Sequence, residues 1–98
     1  MSRRLSFHEA AERELTDAAA YYHNSSPGLG NSFVDDVERS ITQIEEYPES
    51  GYLLNRAVRR VLLRRFPYAV MYSVNPGEIR ILAIANLKRR PFYWQGRK

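Results

Sequence analysis

The sequence predicts an α+β domain: an N-terminal strand, an antiparallel two-helix hairpin, and a small antiparallel sheet on which the hairpin packs, in the order β-α-α-β-β-β. Three observations carry this prediction. Apolar residues recur at helical spacing before Pro48 and at strand spacing after it. Clusters of turn-forming residues, Asn24–Gly30 and Asn75–Glu78, divide the periodic segments. The chain is 98 residues long, and a chain of that size buries about two thirds of its unfolded surface, enough for one modest core. Residues 1–98 therefore read as one domain, with no internal repeat and no linker long enough for a second.

Arg3–Phe7 is a short candidate strand. Ser6 and Glu9 stand at capping-box spacing and predict a helix start. Ala11, Leu15, Ala18, Ala19 and Tyr22 then share one helical face through about His23, and Ala18-Ala19-Ala20 leave room for another element to approach closely. Asn24–Gly30 is a loop. Phe33, Val37, Ile41 and Ile44 form a second apolar stripe, with Asp35, Asp36, Glu38 and Glu45 mostly on other faces. Tyr47-Pro48 ends that helix, because the residue before proline disfavours the α region.

Beyond Pro48 the period changes. Val58–Arg65 reads as a strand of apolar residues and arginines, with Arg60 and Arg64 on one face and Arg59 and Arg65 on the other. Tyr68–Val74 alternates Val70, Tyr72 and Val74 against Ala69, Met71 and Ser73. Asn75-Pro76-Gly77-Glu78 is a tight turn, with glycine supplying positive φ. Ile79–Ala85 alternates Ile79, Ile81, Ala83 and Ala85 against Arg80, Leu82 and Ile84, and its near-continuous apolar character suits a central strand.

The charge is split between the halves. Residues 1–50 hold four arginines against ten acids, a balance of −6. Residues 51–98 hold eleven basic residues against Glu78 alone, a balance of +10. Nine of those eleven are arginine, whose planar fork matches phosphate and carboxylate oxygens. The basic half thus invites an anionic partner, and its alternative use is to solvate strands and a tail. There is no cysteine, which removes disulfides and thiolate metal sites and fits a reducing compartment. Met1–Leu5 leads into no apolar signal core, and no apolar run approaches the ~20 residues that span a bilayer. The expectation is a cytoplasmic protein without a membrane partner.

No metal or cofactor is expected. His8 and His23 stand fifteen residues apart without a carboxylate at ligand spacing, and read as helix-surface residues. Gly28-Leu29-Gly30 lacks the strand–turn–helix setting of a phosphate loop. Two segments remain. In the arginine strand, one arginine pair is expected to face the acidic hairpin, and the other, with Arg80, to form a basic face for phosphates. The tail Leu87–Lys98 interleaves Lys88, Arg89, Arg90, Arg97 and Lys98 with Phe92, Tyr93 and Trp94. Such a mixture grips phosphates while its rings stack on bases or fill a partner's pocket. Its structural alternative is that the aromatics tack the C-terminus onto the sheet.

Several phrases, in order and spacing, resemble the RelE/ParE superfamily of toxins from type II toxin–antitoxin (plasmid stabilisation) systems. They are Glu14-Leu15 through Tyr21-Tyr22; Pro27-Gly28-Leu29-Gly30 with Phe33; Pro48 with Gly51; Arg65-Phe66-Pro67-Tyr68-Ala69-Val70-Met71-Tyr72; and Ile81–Ala85 leading to Arg89, Pro91, Tyr93 and Trp94. Many relatives carry histidine where this chain has Asn86. The resemblance implies a helical hairpin on an antiparallel sheet and a growth-arresting toxin silenced by a cognate antitoxin. It implies operator DNA contact only through that complex.

Two branches differ in target. The RelE-like branch cuts messenger RNA on the ribosome, using lysines and arginines with a late tyrosine. The ParE-like branch inhibits DNA gyrase. Here Tyr68 opens the strand where the RelE-like arginine would follow, but Ala69 comes next; Leu62 stands at one lysine position and Arg60 at the other. A ribonuclease would have to share its work among Arg60, Arg64, Arg89 and Tyr93. Arginine keeps its proton at neutral pH, so it stabilises charge but donates protons poorly. The reading therefore favours a ParE-like gyrase inhibitor with a target surface of Arg59, Arg60, Arg64, Arg65, Arg80, Arg89, Arg90 and Tyr93. The ribonuclease and a non-toxic nucleic-acid-binding module stay as alternatives. Leu53, Leu54, Phe92 and Trp94 are the expected antitoxin anchors.

Overall fold

A computed structural model describes residues 3–98. Its elements are β1 (Arg4–Phe7), α1 (Glu9–Ser25), α2 (Leu29–Glu46), β2 (Tyr52–Leu53), β3 (Arg59–Leu62), β4 (Tyr68–Asn75) and β5 (Glu78–Asn86). The expected order of elements holds, with a two-residue strand added. The sheet has five strands in the order β1-β5-β4-β3-β2 and is mixed rather than antiparallel throughout. β3, β4 and β5 form the expected antiparallel meander, whereas β1 pairs with β5 in parallel, Leu5 opposite Ile79 and Phe7 opposite Ile81. The long connection between them, through both helices and β2–β4, makes a parallel partner possible.

The helical hairpin covers one face of the sheet. Val37, Ile41 and Ile44 of α2 meet Ala11 and Ala18 of α1, Val61, Val70, Tyr72, Ile79, Ile81 and Ile84 in one core. At its loop end Tyr22, Phe33, Phe66 and Tyr68 form an aromatic cluster with ring centres 4.8–6.2 Å apart, joining both helices to the turn before β4. The small alanines do admit a close approach: a Cβ on Gly30 would sit 2.8 Å from the Ala19 carbonyl oxygen, so only glycine fits there. The hydroxyl of buried Tyr72 accepts from the Gly51 N–H (3.0 Å) and donates to the Pro48 carbonyl (2.8 Å), pinning the exit from α2.

The opposite face has a smaller cover. Val58, Ala69, Met71, Leu82, Ala83 and Ala85 pack there against Trp94 of the C-terminal segment. The charge split thus follows the layers. Glu9, Glu12, Asp17, Asp35, Glu38, Glu45 and Glu46 are exposed on the helices, while most of the arginines, Arg13 and Arg39 apart, belong to the sheet, its turns and the tail.

Three local expectations are corrected. His8, not Ser6, caps α1: its ring nitrogen accepts from the Ala10 N–H at 3.0 Å, and Ser6 instead donates to Glu78 at 2.8 Å. The alternation in β5 breaks at Leu82. Met71 pairs with Ala83 and Tyr72 with Ile81, so Leu82 is a bulge, and it and Ala83 both pack on the tail side while Ile84 turns to the helices. The strand expected over Val58–Arg65 stops at Leu62, so Arg64 and Arg65 lie in the turn and the four-arginine alternation does not form.

Candidate functional site

The tail packs beside β3 and β5 and leaves a groove of about 170 Å³ between them. Met71, Ala85, Leu54 and Trp94 give it an apolar floor; Arg60, Arg89 and Arg90 stand around it, and no acid lines it. β3 explains Arg60: with Val61 turned to the helices, its neighbour points to the tail side. There Arg60 lies opposite Tyr52 in the β2–β3 pair, its guanidinium carbon 5.4 Å from the ring centre. Arg89 stacks more closely on Tyr93, at 3.7 Å. A guanidinium lying on an aromatic face keeps its N–H edge for an incoming anion.

Phe92 closes one side. It is half-exposed, its ring centre is 5.7 Å from that of Trp94, and its φ is +62°, a left-handed conformation. For a residue with a Cβ that conformation costs about 1–2 kcal/mol. Strain of this kind is maintained where the surroundings hold it, and it gathers at working sites. Asn86 forms part of the lining, donating to the Tyr68 hydroxyl at 3.4 Å and accepting from the Lys88 N–H at 2.9 Å.

The Tyr93 phenol is already engaged. It donates to Glu14 at 2.8 Å. Burial, that hydrogen bond and the Glu14 charge push its pKa far above the usual phenol value, although Arg89 and Arg97 pull the other way. It stays protonated at any physiological pH. Tyr68, close by, is also raised, chiefly by burial.

The expected target residues therefore separate. Arg60, Arg89, Arg90 and Tyr93 come together in the groove. Arg59 turns to the helix side, where it donates to the Glu49 and Gly51 carbonyls at 3.1 and 3.0 Å. Arg80 donates to the Ser6 hydroxyl and to the Phe7 and Lys98 carbonyls. The basic face expected from these residues and Arg80 does not form. Arg64 and Arg65 lie against α2, so Arg64 is not beside the other three residues named for a ribonuclease. Of the expected anchors, Leu54 and the half-exposed Phe92 line the groove, and Leu53 is half-exposed on a neighbouring surface. Trp94 is 4% exposed and serves as core.

Two acids were not singled out from sequence. Asp36 stands off the apolar stripe expected for α2, yet its side chain is only 3% exposed. It accepts from the backbone N–H groups of Arg64 (3.2 Å) and Arg65 (2.8 Å) and from the Arg39 guanidinium (2.8 Å). Burial alone would raise its pKa, but these donors outweigh burial and hold it below the ordinary value. Glu14 reaches from α1 to Tyr93, Arg97 and the Ile84 N–H. The spacing carried a signal for both: Glu14 falls three residues after Ala11 and four before Ala18, and Asp36 falls three after Phe33 and one before Val37. An acid at such a position must find partners inside.

The arrangement of hairpin and sheet agrees with known proteins. The family model for the ParE toxin of type II toxin–antitoxin systems, parDE, matches residues 5–91. The chain belongs to the ParE toxin family. It is 35% identical over 95 residues to Toxin ParE2 of Mycobacterium tuberculosis (strains CDC 1551 / Oshkosh and ATCC 25618 / H37Rv), covering 93% of this chain and 88% of that protein. A solved structure titled as the chromosomal ParDE TA system from P. aeruginosa superposes with a TM-score of 0.76 at 21% identity, over 89% of this chain and 98% of that one. At that identity the likeness concerns the fold. The ParE match ends at Pro91, so it takes in Arg60, Arg89 and Arg90 and leaves Phe92–Lys98 beyond it.

Proposed function

We propose that this ParE-family protein is a growth-arresting toxin that inhibits DNA gyrase by binding it, and that a cognate antitoxin neutralises it. The observation that carries the reading is the groove: three arginines over an apolar floor, with no acid in the lining and its only tyrosine locked as a neutral donor to Glu14. Strand cleavage in RNA gains from groups that can take up and release a proton at the reacting oxygens. Arginine does not, and neither does a phenol held far above its usual range. Asn86 has no proton to exchange. What the groove offers is charge, shape and apolar contact, which suit a binding surface better than an acid–base centre.

The antitoxin would cover the same surface. A flexible acidic and amphipathic segment fits, since charge steers the encounter and apolar residues fix the register. Leu54 and Phe92 are the anchors at the groove, with Leu53 as a peripheral one. Operator DNA would be met only through that complex. A gyrase target implies a cytoplasmic site of action.

The test is a supercoiling assay with purified gyrase and toxin freed of its antitoxin. Loss of supercoiling with trapped cleaved DNA is the expected result. Arg60→Ala, which removes a half-buried cation of the groove without touching Glu14, should raise the inhibitory concentration at least about tenfold, the effect of losing one interface hot-spot arginine. Unimpaired gyrase, with messages cut in a translation reaction, would replace this reading by the ribonuclease.

A further inference from the structure

Glu14 has more partners than a helix-surface acid needs, and the reason lies in the sheet. β1 accompanies β5 only as far as Phe7 opposite Ile81, and the His8 N–H then takes the Ile81 carbonyl at 2.8 Å. Past that point no strand among the described residues lies beside the edge of β5. Ile84 is 1% exposed, so its outward N–H would be a buried donor without a partner. Glu14 Oε1 accepts it at 3.1 Å. The rest of the carboxylate faces the C-terminal segment. The two terminal nitrogens of Arg97 donate to its two oxygens at 2.9 and 3.1 Å, Tyr93 donates at 2.8 Å, and Arg89 lies 3.6 Å away. Arg97 also donates to the Leu82 carbonyl at 3.0 Å, another group on that edge. Side chains of the tail thus bond where a further strand would pair.

The groove depends on this attachment. Seven of its twelve lining residues, Arg89, Arg90, Phe92, Tyr93 and Trp94 among them, come from the tail, whereas Glu14 is not among the lining residues. We infer that Glu14 is a positioning residue, a latch on α1 that docks the C-terminal segment and so assembles the groove without touching the target. The functional half of this inference rests on the groove being the target surface, as proposed above. The structural half does not.

Trp94 is the sole tryptophan and reports docking without a label. In Glu14→Ala, Trp94 should become more accessible to acrylamide and shift its emission to the red, with the helical circular dichroism retained. The Ile84 amide should exchange at least about tenfold faster, as expected when a hydrogen bond to a charged group is lost. Gyrase inhibition, and growth arrest in cells lacking the antitoxin, should fall with it. Glu14→Gln keeps acceptors but not the charge and should lie between. Arg97→Ala breaks the fork from outside the groove and should act in the same direction. The double variant should be less impaired than the sum of the singles, because both break one unit.

Trp94 as shielded and Ile84 as protected in both single variants as in wild type would overturn the latch. A released tail with undiminished growth arrest would overturn its positioning role. Wild-type toxin that arrests growth yet leaves gyrase untouched would count against the gyrase reading alone, because the Trp94, Ile84 and growth readouts still judge Glu14.

Discussion

Asp36 and Glu14 are two mostly buried carboxylates that reach from the helical hairpin toward arginine-rich chain, and they use that chain differently. Asp36 takes the backbone N–H groups of Arg64 and Arg65 and leaves both side chains outside; among the described residues neither guanidinium has an ion-pair partner. Glu14 takes the side chains themselves, the fork of Arg97 and the phenol of Tyr93. The first arrangement shapes a turn and leaves its charges exposed. The second consumes charge to dock a segment. A count of arginines therefore overstates the basic surface: Arg97, Arg59 and Arg80 hold the molecule together, while Arg60, Arg89 and Arg90 stand at the groove.

The largest effect expected from breaking this comparison is at Asp36. Asp36→Ala strands two backbone donors and the Arg39 guanidinium in a partly buried place. Removing one partner of such a network should cost about 3 kcal/mol of global stability, read as a lower urea midpoint at unchanged slope. Glu14→Ala should instead act locally, with the tail released before the core. If Asp36→Ala unfolds no more easily than Glu14→Ala, the two carboxylates are not the different devices described.

Acid should separate them more finely. The folded-state pKa of Asp36 lies below its ordinary value of 3.8. Its contribution is therefore fully present above that value and is lost as pH falls through the folded-state pKa. Glu78 shifts in the same direction, first through the Ser6 hydroxyl, so wild type alone does not isolate Asp36. The stability gap between wild type and Asp36→Asn does. Urea titrations from about pH 5 to about pH 2.5 should show that gap narrowing as the wild-type carboxylate takes its proton. A gap constant across the range would mean that the charge on Asp36 contributes nothing.

How far these features could be read in advance depends on what local pattern encodes. Helical and strand periodicity marked both helices and the meander, and Pro76-Gly77 marked the turn, where Gly77 has φ +77°. The parallel pairing of β1 was not legible, because a lone strand before a helical hairpin carries no sign of the edge it will join. The bulge at Leu82 was hidden for another reason: beyond Arg80 the strand is apolar on both faces through Ala85, so an inserted residue there leaves the pattern unchanged. At the site, the tail could be named as a cluster because its cations and rings are adjacent in sequence. Its attachment could not, since Glu14 lies 79 residues from Tyr93 and 83 from Arg97. The short arginine strand misled because Arg64 and Arg65 extend its pattern while their N–H groups turn away to Asp36.

The smallest expected effect sharpens the comparison most directly, because it contrasts residues of one type. If Asp36 holds Arg64 and Arg65 by the backbone alone, their side chains are dispensable for the fold. Arg64→Ala and Arg65→Ala keep both N–H donors and remove only exposed charge, so each should change stability by no more than about 0.5 kcal/mol. Their salt dependence of stability should be equally flat, since no ion pair is lost. Arg97→Ala removes a fork whose side chain is only 17% exposed and leaves Glu14 partly unpaired, so it should cost more than either, first as loss of tail protection in hydrogen exchange. Equal costs at all three positions would mean that the Arg64 and Arg65 guanidiniums support the fold after all. The contrast would then lie in the two carboxylates' surroundings and not in which part of the arginine each one holds.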